Sequence, residues 1–147
     1  MEQDAVPRLM GLDVGNRRIG VAVSDGLGLT AQPLLTLIRK KPREDLRSLA
    51  RLARKYSCQG IVVGNPLQLS GDQSRQAAKT QAFAQLLADE TKLPVHLWDE
   101  RLTTVEAHRL LYESGRPRTE HRALVDQVAA VIILQGFMDA RSSEHGI

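Results

Sequence analysis

Leu9-Met-Gly-Leu-Asp-Val-Gly-Asn-Arg-Arg-Ile-Gly-Val-Ala-Val-Ser24 sets the architecture of this chain. It contains two short β-favouring runs, Leu9–Val14 and Arg18–Ser24, with Gly15-Asn16 between them. Glycine as the first residue of a two-residue connection suits a type II′ hairpin. A third run, Leu34–Leu37, follows the turn-forming stretch Asp25–Gly28, so the fold should open as an antiparallel meander.

The period then changes. Leu46, Leu49, Ala50 and Ala53 recur at i, i+3, i+4 and i+7, with Arg43, Arg47, Arg51 and Arg54 on the other side, which is the pattern of an amphipathic helix. Gly60-Ile-Val-Val-Gly64 is unbroken and apolar, as strands buried on both faces of a parallel sheet are. A loop over Asn65–Gly71 leads to a second helix, about Asp72–Glu90, and Pro94–Glu100 forms the next strand. Thr103-Thr-Val-Glu106 has the form of a capping box and opens a third helix that ends near Gly115 and Pro117. The last helix, about His121–Ala140, is apolar over most of its circumference and should pack deeply. The order β-β-β-α-β-α-β-α-α predicts an α/β fold: a mixed five-stranded sheet, three antiparallel strands then two parallel ones, with helices on both faces.

Composition narrows the function classes. The chain has 147 residues, 42% apolar and 25% charged, which suits one ordinary globular domain with tails at about 1–7 and 141–147. No apolar run reaches the roughly 18 residues of a membrane span, and the first eight residues lack a signal-peptide pattern, so a cytoplasmic protein with no membrane partner is expected. The single cysteine, Cys58, excludes an internal disulfide and a Cys-rich zinc site. The net charge is only +3, but fifteen of the twenty basic residues are arginine, whose planar guanidinium suits phosphate. Aromatics at 3% disfavour single-strand binding by base stacking.

Three carboxylates stand where charge is expensive. Asp13 lies inside an apolar run at the carboxyl end of the first strand, where ligands gather in sheets of this kind. Glu100 ends the strand Val95–Glu100 with Asp99 beside it, and alternation lets only one of that pair face a given side. Asp126 interrupts Ala-Leu-Val-Asp-Gln-Val-Ala-Ala-Val-Ile-Ile-Leu, a stretch otherwise built for burial. Each has an ordinary structural explanation: a turn-forming Asp, an acid before a helix start, an acid in a first helical turn paired with Arg122. One shared explanation is preferable to three. Carboxylates brought together raise one another's pKa unless a cation joins them. Mg²⁺, or Mn²⁺ in its place, takes hard oxygen ligands and completes its shell with phosphates, which points to phosphodiester hydrolysis of nucleic acid. Arg17, Arg18, Arg101, Arg116, Arg118 and Arg122 are placed to position the phosphate backbone.

These segments together resemble a known family. Gly11-Leu-Asp-Val-Gly-Asn-Arg-Arg-Ile-Gly-Val-Ala-Val-Ser-Asp25, Ile61-Val-Val-Gly-Asn-Pro-Leu67, Leu93-Pro-Val-His-Leu-Trp-Asp-Glu-Arg-Leu-Thr-Thr-Val-Glu-Ala107 and Val125-Asp-Gln-Val-Ala-Ala-Val-Ile-Ile-Leu-Gln135 resemble the YqgF (also RuvX) proteins, in order and spacing. That family is described as Holliday-junction resolvases or as nucleases maturing the 5′ end of pre-16S ribosomal RNA. The resemblance implies a ribonuclease H-like fold, a divalent metal, and acidic positions at Asp13, Glu100 and Asp126. It further implies a bacterial cytosolic protein of ribosome biogenesis, with pre-rRNA more than branched DNA as its partner. Junction resolution would require a homodimer.

Two other readings compete. Asp13-Val-Gly-Asn could form a phosphate-binding hairpin of the actin and sugar-kinase type, although that class closes two such domains on its nucleotide and no Walker A or dinucleotide glycine pattern is present. A non-catalytic RNA-binding assembly factor is the third. The remaining notable residues have structural readings: His96 and His108 lack a second ligand at metal spacing, Cys58 is an apolar filler, Trp98 packs in the core, and Ser24 with Asp25 serves a turn.

Overall fold

The computed structural model describes residues 7–65, 71–99, 109–110, 113–115 and 118–144. Strands β1 (Arg8–Val14), β2 (Arg18–Ser24) and β3 (Ala31–Ile38) precede helix α1 (Pro42–Lys55). Strand β4 (Cys58–Asn65), helix α2 (Gly71–Thr91), strand β5 (Val95–Asp99) and a long helix α3 (Arg118–Glu144) complete the order. The five strands form one sheet in the order β3-β2-β1-β4-β5. The β1–β2 and β2–β3 pairs are antiparallel, and β1–β4 and β4–β5 are parallel.

The sheet has two apolar faces because its central strands alternate between two cores. Met10, Leu12 and Val14 of β1 join Ile61 and Val63 of β4 beneath Leu46, Leu49 and Ala53 of α1 and Phe83 and Leu87 of α2. Ala22 and Val62 face the other way, onto Ala130, Ile133, Leu134 and Phe137 of α3. Burying each of the larger side chains contributes roughly 1.5–3 kcal/mol. The α/β sandwich expected from the periodicities is thus observed.

Several boundaries differ from expectation. The β1–β2 connection is Asn16-Arg17, closed by the Gly15 N–H donating to the Arg18 carbonyl at 2.9 Å. Neither Gly15 nor Asn16 has a positive φ, so the turn is not type II′. Strand β3 begins at Ala31, before the expected Leu34, and runs through Pro33. It is an edge strand, where a missing N–H costs no ladder bond. Helix α3 starts at Arg118 and continues through Glu144, beyond the expected end at Ala140, because its packing on β1, β2 and β3 outweighs the polar composition of its ends. The expected helix after Thr103 lies largely outside the described residues, of which 109–110 and 113 are helical.

Two glycines let α3 lie directly on the sheet. A Cβ at Gly11 would stand 2.6 Å from the Leu134 Cβ, and one at Gly20 would overlap the Asp126 backbone carbonyl. Gly20→Ala should therefore push α3 off β2 and cost about 3 kcal/mol, or roughly 10 °C in the thermal midpoint. An unchanged midpoint in a calorimetric scan would show that this contact is looser than described.

Candidate active site

Asp13 is held by β1 at the carboxyl edge of the sheet, on the α3 side. Its strand neighbours two residues apart settle that orientation. Leu9 packs against the α3 cluster and Gly11 lies under Leu134, whereas Met10, Leu12 and Val14 enter the opposite core. The ladder sets Gly20 of β2 directly across from Asp13. Because Gly20 has no side chain, the backbone of Asp126 descends onto it. Buried Val125 and Ala129 fix the phase of α3 around Asp126. Two acids separated by more than a hundred residues of chain therefore meet over one strand pair.

Their meeting has an electrostatic consequence. The Asp13 carboxyl is pushed up from 3.8 to about 7, first by burial and then by the Asp126 charge. Asp126 has a cation of its own. The Arg18 Nε donates to Asp126 Oδ2 at 2.6 Å, with the two side chains 35% and 17% exposed. Among the described residues no hydrogen-bond donor reaches Asp13. The site is thus a half-neutralised acid pair, with a guanidinium on one member and a proton shared with solvent on the other near pH 7.

Several expected site residues lie elsewhere. Glu100, Arg101 and Arg116 fall outside the described residues. Arg118 and Arg122 belong to the opening turns of α3, but their side chains are likewise outside them. Arg17 is exposed in the hairpin turn, free to meet an incoming anion. Arg18 is instead engaged by Asp126. Asp99 pairs with Asn65 at the end of β5 and, by alternation from Trp98 on the α3 side, faces the α1–α2 side. Among the described residues no three His, Cys, Asp or Glu side chains stand together as a metal site.

The other singled-out residues have structural occupations. Trp98 meets Phe137 edge to face at 5.9 Å, and His96 lies 5.0 Å from the same ring. Cys58 is buried, and that burial pushes its thiol up to about 11, far from a nucleophile's range. The Ser24 hydroxyl accepts the Leu9 N–H at 2.7 Å. Asp25 accepts from the Leu27 and Leu29 amides and the Thr30 hydroxyl, and these bonds lower its pKa.

Two polar residues were not singled out by sequence. Asp45 is buried within α1 and accepts from the Arg39 Nε at 3.2 Å and the Lys40 amide at 2.9 Å. Asn65 ends β4 rather than opening a loop, is 3% exposed, and its Oδ1 has no partner among the described residues. The only advance signal for Asn65 was its place at a strand's carboxyl end. A cavity of about 270 Å³, lined in part by Val14, Asn16, Arg39, Lys79 and Phe83, opens on the α1–α2 side, away from the acid pair.

Comparison with known proteins bears on this arrangement. One similar solved structure is Thermus thermophilus RuvC in complex with a Holliday junction substrate. It superposes with a TM-score of 0.61 over 94% of this chain and 97% of that one, at 15% identity. Fowlpox virus resolvase with junction DNA gives 0.58 over 91% and 98%, at 12% identity. At such identities the likeness is one of fold, the ribonuclease H-like sheet. Relatives in sequence are much nearer. A Halothermothrix orenii protein named "Putative pre-16S rRNA nuclease" is 47% identical over 95% of this chain and 99% of its own, and one of the same name from Moorella thermoacetica is 49% identical over the same shares. The model of the family described as "RuvX: Holliday junction resolvase", a family of phosphodiester-hydrolysing nucleases, matches residues 7–140, and the chain belongs to that family.

Proposed function

We propose that this protein is a divalent-metal-dependent nuclease that trims the 5′ end of pre-16S rRNA in the cytoplasm, with Asp13, Glu100 and Asp126 as its acids. The observation that carries this reading is the convergence of Asp13 and Asp126 over Gly20 at the carboxyl edge of the sheet, where burial and the Asp126 charge push the Asp13 carboxyl up to about 7. Holding two carboxylates in one partly desolvated place costs stability, and a bound cation offsets that cost. Hard carboxylate oxygens fit Mg²⁺ or Mn²⁺. Glu100 as the third member rests on the sequence: only one of Asp99 and Glu100 can face a given side, and Asp99 belongs to the face opposite Trp98. When bound, the metal supplies a Lewis acid and an ionised water for attack on phosphorus.

The chain's own residues do the remaining work. Asp13 would hold the cation together with Asp126, and its carboxyl can release its proton near neutral pH. Arg18 holds the Asp126 carboxylate in place, and Arg17, exposed in the adjacent turn, meets the phosphate. RNA is favoured over branched DNA because the near relatives bear the rRNA nuclease name, whereas the junction-bound structures are related in fold alone.

The test is incubation of the purified protein with Mg²⁺ and a panel of 16S precursor RNA and four-way DNA junctions, with light scattering to establish the oligomer. Cleavage near the mature 5′ end is expected. Cleavage of junctions alone, by a dimer, would replace this reading with resolution. RNA binding without cleavage under any divalent ion would replace it with an assembly factor.

A further inference from the structure

Helix α1 holds five basic and two acidic residues, a balance of +3, equal to that of the whole chain. One of the acids, Asp45, is buried and committed to Arg39 and the Lys40 amide. Arg43, Arg47, Arg51 and Arg54 follow at steps of four, four and three and are all exposed. At 100° per residue they occupy roughly 80° of arc, flanking the stripe of buried Leu46, Leu49, Ala50 and Ala53, whose centre lies roughly 110° further round the helix. None of the four forms an ion pair with a described acid.

This stripe works against the helix that carries it. Like charges at i, i+4 repel, and Lys40, Lys41 and Arg43 crowd a helix N-terminus, where the macrodipole disfavours cations. Glu44 and Asp45 only partly offset that. The fold needs the inner face of α1, not this outer one. Its position adds the second observation. The Arg39 amide donates to the Arg17 carbonyl at 2.9 Å, and Arg39 Nη1 to the Gly15 carbonyl at 2.9 Å, so α1 starts beside the turn that carries Arg17 and Arg18. Basic side chains thus run from the acid pair, over the sheet edge through Lys40 and Lys41, and down α1. From Arg43 to Arg54 the track is about 16 Å long, enough to follow several phosphates at about 3.4 Å per step of one strand.

We infer that the arginine stripe of α1 is a second docking track for nucleic acid, gripping the phosphate backbone of a substrate segment that leaves the acid edge beside Arg17 and passes onto the face opposite α3. The inference rests on nucleic acid being the substrate and extends recognition to flanking strand outside the cleavage point. Phosphate is read as charge, so RNA and DNA flanks are both candidates at this track.

The test uses Arg43→Gln/Arg47→Gln/Arg51→Gln/Arg54→Gln in the full chain, with binding measured in EDTA against KCl concentration. The probes are a short RNA hairpin, the same hairpin with a long 5′ flank, its DNA counterpart, and phosphatidylserine vesicles. For the flanked probe, the slope of log K against log salt should shrink by about 3, four lost contacts at 0.7–0.9 each, and the short hairpin should lose less than about 1. A matching Arg→Lys set should restore most of the slope and so guards against a folding defect. An unchanged slope on flanked RNA and DNA overturns the inference. So does wild-type protein with no salt-dependent binding, or loss of binding confined to phosphatidylserine vesicles, which would make the stripe a membrane contact. Wild-type protein that binds with the steep slope yet never cleaves when metal is restored refutes the proposed nuclease and leaves the track standing.

Discussion

Asp13→Asn is expected to lower the single-turnover rate of Mg²⁺-dependent RNA cleavage by on the order of 10³-fold or more, and Asp126→Asn to do the same. The size follows from what asparagine removes. It keeps the shape of the side chain and one oxygen but takes away the charge that would hold a cation. A pocket whose purpose is to concentrate negative charge on one ion fails as a unit, so the double variant should be little worse than either single one. Rates within tenfold of wild type for both single variants would remove these acids from the chemistry.

The same Asp13→Asn change should make the metal-free protein more stable above neutral pH. The folded carboxyl titrates near 7 and the unfolded one near 3.8. Between those values the folded state holds a proton that the unfolded state has released, so stability falls as pH rises through this window and stays low above it. The full difference is on the order of 4 kcal/mol at pH 8. Asparagine, neutral at every pH, escapes that loss. Urea unfolding without metal should show the variant more stable at pH 8, with the gain vanishing below pH 4. Saturating Mg²⁺ should return stability to the wild type and not to the variant. Equal stability at pH 8 would mean that Asp13 is neither desolvated nor crowded by Asp126. Together the two expectations describe a site that trades metal-free stability for function.

Most of the frame was legible in the residues. Period-2 and period-3.6 patterns gave five strands and three of the helices, because burial on two sheet faces imposes those periods directly. Asp13 and Asp126 stood out for one reason: each is a charge inside an apolar run. What brings them together was not legible. Gly20 reads as an ordinary strand glycine, and only the descent of the Asp126 carbonyl onto it shows why a side chain is excluded there. Arg18 was expected to meet phosphate, yet it holds Asp126 across 108 positions of chain, a contact that no local pattern encodes. Asp45 and Asn65 escaped notice similarly, since their burial depends on how α1 and β4 seat. The Gly15-Asn16 turn type misled because a hairpin's closing pair, and with it the identity of the two loop residues, is set by strand register.

The decisive measurement is a ¹³C NMR titration of the Asp13 carboxyl with and without Mg²⁺, repeated in Asp126→Asn. A convergent acid pair predicts a midpoint near 7 without metal. It also predicts a partial fall when Asp126 is neutralised, and a collapse to below about 4 when Mg²⁺ saturates the wild type. An ordinary carboxylate midpoint, indifferent to both Asp126 and the ion, would contradict the account at its root.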